Sequence, residues 1–170
     1  MEERVTLADG TPAWIRPIRP GDKARLAKAF SLLSDETRTR RFLGPKPQLS
    51  PRELRYLTEV DGCDHVALIA VHAERPEWVL GVGRFVRDPQ RPDTAEFAIV
   101  VGDAYQRRGL GRTLSARLVA AARERRIRRF TAWTQADNVP AQRLTNSIAQ
   151  HLTYVSRGPG TREVTVDLAA

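Results

Sequence analysis

The sequence predicts a mixed α/β fold, and three observations indicate this class. Predicted strands lie next to one another in the middle of the chain and alternate with helices later, so the sheet should contain both antiparallel and parallel neighbours. Hydrophobic residues make up 41% and charged residues 28% of the sequence, as in ordinary globular proteins. A chain of 170 residues is most simply one domain, 1–170, with room for a large core.

The first part of the chain predicts one strand followed by three short helices. The third helix has the clearest N-terminal signal, because Ser50 and Glu53 match a capping box and Pro51 occupies the first helical position. An apolar stripe follows this box at helical spacing. The predicted elements are a strand within 11–22 that ends at Pro20, and helices at 22–30, 35–42 and 50–60.

Three apolar runs follow and predict neighbouring strands at 65–71, 77–86 and 94–101. The run 65–71 is almost continuously apolar, which is typical of a central strand buried on both faces. The whole sheet should have about seven strands flanked by helices. The remaining predicted elements are a helix at 110–125, a strand at 129–134, a helix from Asn138 to about Gln150, and strands at 152–156 and 163–168.

Charge and cysteine content suggest the setting in which the protein works. The net charge is +8, and only Lys23, Lys28 and Lys46 are lysines, a bias that favours bidentate contacts with phosphate or carboxylate and is equally typical of a GC-rich genome. The single cysteine, Cys63, excludes an internal disulfide and fits a reducing cytoplasm. The mixed, acidic N-terminus is not typical of a signal peptide, and no apolar run approaches a membrane span. We therefore expect a cytoplasmic protein without a membrane partner.

The most informative stretch is QRRGLG at 106–111, between a predicted strand and a predicted helix. It is not a Walker A loop, because no lysine lies near it, and Leu114 stands where a dinucleotide fingerprint needs its third glycine. The backbone N–H groups of residues 107–112 can point into one concavity at a helix N-terminus, where the dipole favours an anion. An ordinary strand-to-helix turn is the alternative interpretation.

This hexapeptide matches [QR]-x-x-G-x-[GA] and resembles the pyrophosphate loop of the GCN5-related N-acetyltransferases, the GNAT superfamily. Segment 15–22 resembles the first strand and helix entry of this superfamily. Segments 49–71 and 95–111 resemble most the catalytic domain of bacterial protein lysine acetyltransferases, which act on acyl-CoA synthetases. The resemblance covers nearly the whole chain, although only 94–112 is highly specific. It implies a mixed, splayed sheet with acetyl-CoA, the cosubstrate, wedged between two strands.

The resemblance also implies which residues hold acetyl-CoA. The pantetheine arm is expected to pair with the strand 94–101 as an additional strand. Asn138 is expected near the cofactor and is also suited to be the N-cap of the next helix. The expected cofactor-binding residues are Ile99, Val100, Val101, Arg107, Arg108, Gly109, Leu110, Gly111, Arg112 and Asn138.

For catalysis, Glu96 is the expected general base, since similar lysine acetyltransferases carry a glutamate at this position. Strand periodicity puts Glu96 on the same face as Ala98 and Val100. A solvated or arginine-paired carboxylate is the alternative. Many relatives place a general-acid tyrosine seven residues after the asparagine, where this chain has Thr145. Tyr154, water or unassisted departure of the thiolate are the remaining options.

Other candidate residues carry weaker signals. Cys63, Asp64 and His65 are adjacent but lack the ligand spacing of a zinc site, so no metal is expected. His72 and His151 are single histidines that we expect on the surface or in loops. The basic run at 123–129 is typical of a solvated helix end.

The favoured function is therefore acetyl-CoA-dependent N-acetylation of a protein lysine, for example in an acyl-CoA synthetase, by a monomer or homodimer. A small amine is an alternative acceptor, and a noncatalytic acyl-CoA-binding module is a second hypothesis that Thr145 supports. Nucleic-acid binding is not expected, because the arginines are scattered along the chain instead of forming a stripe.

Overall fold

The structure, a computed structural model, describes residues 2–168 as a single eight-stranded mixed sheet flanked by helices. The strand order is β1-β2-β3-β4-β5-β6-β8-β7. This confirms the predicted fold class, with one strand more than expected. The strands are β1 (Glu3–Thr6), β2 (Pro12–Pro17), β3 (His65–His72), β4 (Val79–Asp88), β5 (Arg91–Val101), β6 (Arg129–Gln135), β7 (Ala149–Ser156) and β8 (Thr161–Leu168).

Five α-helices connect these strands, and none within residues 2–168 is long and apolar enough to cross a membrane. The capping box predicted at the third helix is confirmed: Glu53 N–H donates to Ser50 Oγ at 3.2 Å, and Ser50 N–H donates to Glu53 Oε2 at 2.8 Å. The helices are α1 (Lys23–Ser31), α2 (Asp35–Phe42), α3 (Pro51–Thr58), α4 (Leu110–Glu124) and α5 (Val139–Ile148).

The sheet changes character between β5 and β6. From β1 to β5 every neighbouring pair is antiparallel, as the sequence predicts, whereas β5 and β6 are parallel because α4 carries the chain back across the sheet. Their pairing runs only from Thr94 to Glu96 on β5 and from Arg129 to Thr131 on β6. Beyond these residues the two strands share no ladder, so the sheet is splayed at this point.

The core lies on both faces of the sheet. On one face, α4 buries Leu114 and Leu118 completely, and the rings of Phe97 and Phe130 stack 4.9 Å apart. Gly83 on β4 permits this packing, because a Cβ there would lie 2.8 Å from Leu118 Cδ1. On the other face, the first helices cover the middle of the sheet. Leu26 and Phe30 of α1 are buried there, as are Ile69 of β3 and Val82 of β4.

Several predicted boundaries are corrected. The first predicted strand ends at Pro17 instead of Pro20, and the last helix ends at Ile148 because β7 already begins at Ala149. Strand β1 is absent from the prediction, since only Val5 among its residues is even partly buried. The sequence therefore gives little apolar periodicity at the two edges of the sheet.

Candidate active site

The gap between β5 and β6 leaves one side of β5 without a strand partner. Backbone groups alternate along a strand, and Gly102 N–H donates to Leu80 O on β4 at 2.9 Å. The N–H and C=O groups of Val100 therefore face β4, whereas those of Ile99 and Val101 face the gap. Of the three residues expected to pair with pantetheine, Ile99 and Val101 have the suitable backbone orientation, and Val100 lines a cavity with its side chain.

The glycine turn lies at the same end of β5. Arg107 and Gly109 have left-handed backbone conformations, with φ of 60° and 84°, and Gly109 is the N-cap of α4. Within residues 2–168, the N–H groups of 107–112 donate to no protein acceptor, and the first such bond is from Thr113 N–H to Gly109 O at 3.0 Å. The turn thus presents a row of free donors at the positive end of a long helix.

The side chains of this turn differ in what they contact. Arg107 and Arg112 are exposed and form no ion pair with residues 2–168. Arg108, in contrast, pairs with Asp9 in the β1–β2 turn and lies over the Tyr105 ring, 5.6 Å from its centroid. Leu110 is 1% exposed and packs in the core, so only its backbone N–H faces outwards.

Gln106, the first residue of the motif, ties the turn to its surroundings. Its side-chain amide donates to Val101 O at 3.2 Å and to Thr37 Oγ1 at 3.3 Å. It therefore bridges the end of β5 to α2 beside the gap. The motif predicts a polar residue here, but the sequence gives no sign of its partners.

Asp103 forms a second link between α2 and the end of β5. It accepts hydrogen bonds from Ser34 N–H at 2.9 Å, Ser34 Oγ at 2.7 Å and Thr37 Oγ1 at 2.7 Å. Burial opposes its charge, but these hydrogen bonds outweigh burial and lower the pKa of Asp103. The sequence gives no sign of this contact, because Ser34 and Asp103 are 69 residues apart.

Glu96 lies where the β5–β6 pairing ends, opposite Thr131. Its side chain is exposed on the face that also carries Ala98 and Val100, as strand periodicity predicts. It forms no ion pair with residues 2–168. Burial lowers the pKa of the nearby Arg41 guanidinium, and the charge of Glu96 partly opposes this shift. The carboxylate is therefore accessible to an acceptor.

A cavity opens on this face between the first helices and strands β4 and β5. Its walls are mainly apolar and include Leu26, Phe30 and Val100. Two arginines, Arg41 on α2 and Arg84 on β4, also line it. No sequence motif distinguishes these two arginines from the others in the chain.

The residues expected near the thiolate have defined roles in α5. Asn138 is its N-cap, with Oδ1 accepting from Ala141 N–H at 3.1 Å. Thr145 is buried, and its hydroxyl interacts with Ala141 O and Gln142 O, each at 3.0 Å. Tyr154 lies on β7, separated from β5 by two strands and thus by about 14 Å. The proton of Thr145 is therefore engaged within the helix, and Tyr154 is remote.

The remaining histidine and cysteine positions form no metal centre within residues 2–168. Cys63 is exposed, and His65 lies against Arg84. His72 is buried at the end of β3, where Nδ1 accepts from Glu74 N–H at 3.2 Å. The prediction of a surface or loop position for His72 is wrong, whereas His151 is exposed on β7 as expected.

Comparison with known proteins decides the family. The model of the acetyltransferase (GNAT) family matches residues 29–147, which is well over half of the chain and includes the gap, the glycine turn and most of α5. The chain belongs to the GNAT family of acetyltransferases. It is therefore an acetyltransferase with acetyl-CoA as its cosubstrate.

Individual relatives of this GNAT acetyltransferase are bacterial. It is 33% identical over 140 residues to acetyltransferase Pat of Mycolicibacterium smegmatis, and 31% identical over 134 residues to acetyltransferase PA5475 of Pseudomonas aeruginosa. These alignments cover 82% and 78% of this chain, but 41% and 72% of the relatives. The chain thus corresponds to less than half of the mycolicibacterial protein.

Among solved structures, the GNAT domain of S. lividans PAT is similar to this chain along almost its entire length. Its TM-score is 0.86 at 32% identity, and the alignment covers 98% of this chain and 97% of that domain. The overall fold of this chain is therefore shared with a solved GNAT domain.

Proposed function

We propose that this GNAT acetyltransferase transfers the acetyl group to the side-chain amine of a protein lysine, with Glu96 as general base. The observation that carries the proposal is the position of Glu96. This exposed carboxylate lies at the point where β5 and β6 separate, on the face of the sheet that carries the cavity. An acceptor amine in the cavity and a thioester in the gap would meet beside it.

Acetyl-CoA would bind in two parts. Its pantetheine arm would add to the free side of β5 through the backbone of Ile99 and Val101. Its pyrophosphate would accept hydrogen bonds from the N–H groups of 107–112, with the exposed Arg107 and Arg112 as nearby cations. The left-handed conformation of Gly109 and the small size of Gly111 let the backbone approach the phosphates closely.

In the reaction, a lysine ammonium, whose ordinary pKa is about 10.4, must lose a proton before it can attack. Glu96 takes this proton, directly or through one water. The nitrogen lone pair then attacks the thioester carbon, a C–N bond forms, and the C–S bond breaks. The second nitrogen proton passes to water or to the departing thiolate, so the products are the acetyl-lysine amide and CoA.

No protein acid is needed for departure of CoA in this proposal. The hydroxyl of Thr145 forms hydrogen bonds within α5, and two strands, β6 and β8, separate Tyr154 on β7 from β5. A thiol with an ordinary pKa of about 8.5 is a fair leaving group, so the thiolate can leave without assistance. This supports catalysis in a chain that lacks the usual tyrosine and argues against the noncatalytic alternative.

The acceptor is tested by incubating the protein with acetyl-CoA and purified acyl-CoA synthetases, the class suggested by the resemblance to bacterial lysine acetyltransferases. Mass spectrometry should find acetyl-lysine at defined sites, and heat-inactivated enzyme is the control for nonenzymatic labelling. A parallel assay offers small primary amines. Rapid acetylation of the small amines with no modified protein would refute the lysine acceptor and favour a small-molecule substrate.

A further inference from the structure

The acceptor cavity contains a positive charge that no carboxylate of the described chain neutralises. Arg84 is 5% exposed, and its guanidinium contacts only neutral groups: Nη1 lies 3.0 Å from His65 Nε2, and Nη2 donates to Leu57 O at 3.1 Å. Burial and the charge of Arg84 lower the pKa of His65 to about 4, so its ring is neutral at pH 7. Buried charges are normally paired, which makes Arg84 unusual.

Arg41 adds a second cation to the same cavity wall. Its guanidinium lies over the Phe42 ring, 4.9 Å from the centroid. It forms no ion pair with residues 2–168, although the charge of the nearby Glu96 acts on it. Burial and the neighbouring Arg41 lower the pKa of Arg84 to about 10, so Arg84 remains charged at pH 7. The two guanidinium groups repel each other. Such a pair is most stable with an anion between its members.

The position of these arginines relative to Glu96 suggests that such an anion would be part of the acceptor molecule. Arg84 is the cross-strand partner of Ala98, and Val86 is the partner of Glu96, so Arg84 and Glu96 share one face of the sheet one step apart. The intervening walls are apolar and suit methylene groups. An amine beside Glu96 and an anion beside the arginines would fit one acceptor molecule.

We propose that Arg84 and Arg41 bind a carboxylate of the acceptor, so that the enzyme selects amines that carry an acidic group nearby. This inference rests on the proposed acetyl transfer at Glu96 and names its substrate class. The carboxylate can come from an aspartate or glutamate beside the target lysine, or from a free amino acid with a distant amine. Carboxylate is favoured because two guanidinium groups offer the planar, bidentate donors that it accepts.

The test compares acceptors that differ only in this carboxylate. One arm uses lysine peptides with glutamate or glutamine at a flanking position, and the other uses 6-aminohexanoate and its neutral amide. In at least one arm the wild type should prefer the acid about tenfold or more in kcat/KM, the scale of hydrogen bonds to a charged group. The arm that shows the preference identifies the source of the carboxylate.

Variants connect this preference to the arginines. Arg84→Gln and Arg41→Gln should each remove most of it, whereas Arg52→Gln, which deletes an equal charge from an exposed position on α3, should retain it. Circular dichroism checks that Arg84→Gln folds. Because the Arg41 side chain is more exposed than that of Arg84, Arg41→Gln provides a second test if Arg84→Gln does not fold. Equal use of acid and amide by the wild type, or a preference that persists in both cavity variants, would overturn the proposal.

Calorimetry separates this inference from the proposed function. If no lysine peptide is acetylated, the lysine acceptor is refuted, but titration of CoA-bound protein with 6-aminohexanoate and its amide still reports on the arginines. Tighter binding of the acid that is lost in Arg84→Gln supports the carboxylate site. Equal binding of both probes to the wild type refutes it.

Discussion

At the scale of single residues, Asp22 is the clearest example of a side chain whose charge holds the fold together. It is 1% exposed and accepts two 2.7 Å hydrogen bonds from Arg16, one from Arg19 N–H at 2.8 Å and one from Arg25 at 3.0 Å. Burial opposes its charge, but these donors outweigh burial and lower the pKa of Asp22. The contact fixes the end of β2 to the start of α1.

Asp22→Asn should destabilise the protein by about 3 to 5 kcal/mol, because it leaves Arg16 buried without its counterion. Urea unfolding at pH 7 measures this loss, and Asp35→Asn, at an exposed surface pair, should change stability far less. Since the folded pKa is lowered, the contribution is complete above the unfolded value near 3.9 and is lost as pH falls through the folded value. Equal stability of both variants at pH 7 would contradict this account.

At the scale of elements, the start of α4 is where the proposed function places the pyrophosphate of acetyl-CoA. A Cβ at Gly111 would lie 3.7 Å from Leu144 Cδ1 and 3.8 Å from Val101 Cγ2, which are ordinary contacts. Gly109 is different, because its φ of 84° would strain any larger residue and mix a folding defect with a binding defect. Gly111 is therefore the better position at which to test the cofactor site.

Gly111→Val should leave the free protein folded but fill the space between β5 and α5 that the pantetheine arm needs. For the wild type, acetyl-CoA at one hundred times its Kd should stabilise the fold by about 2.7 kcal/mol. In thermal-shift assays the variant should lose most of this shift, and Gly44→Val, in open space elsewhere, should keep it. A full shift in Gly111→Val would place the cofactor away from this turn.

At the scale of the whole molecule, the sequence predicts elements well where burial is periodic. The apolar run of β3 and the amphipathic face of α4 have the predicted bounds to within a residue. The start of β7, at one edge of the sheet, differs from the prediction. Residues 149–151 there are half-buried or exposed, and their strand conformation comes from pairing with β8. Pairing with a distant strand leaves no local signal in the sequence.

The candidate site likewise contains residues with a local sequence signal and residues that only the folded chain brings together. The sequence indicates the glycine turn and Glu96 as candidates because they lie within one continuous segment, 94–112. Arg41 and Arg84 are 43 positions apart in the sequence, and only the packing of α2 against the sheet brings them to one cavity. Isolated arginines are too common in this chain to identify these two beforehand. The acceptor side of the site therefore requires the folded structure.

The assignment of Glu96 is tested most directly by the pH dependence of turnover in Glu96→Gln, with acetyl-CoA binding measured in parallel. Thr145→Ala is the matched control, since its hydroxyl is engaged within α5. With chemistry rate-limiting, Glu96→Gln should bind acetyl-CoA normally and lose about 10²-fold or more in turnover at pH 7. The loss should shrink as pH rises and the amine becomes neutral, and Thr145→Ala should stay near wild type. Unchanged turnover of Glu96→Gln at pH 7 would contradict the account.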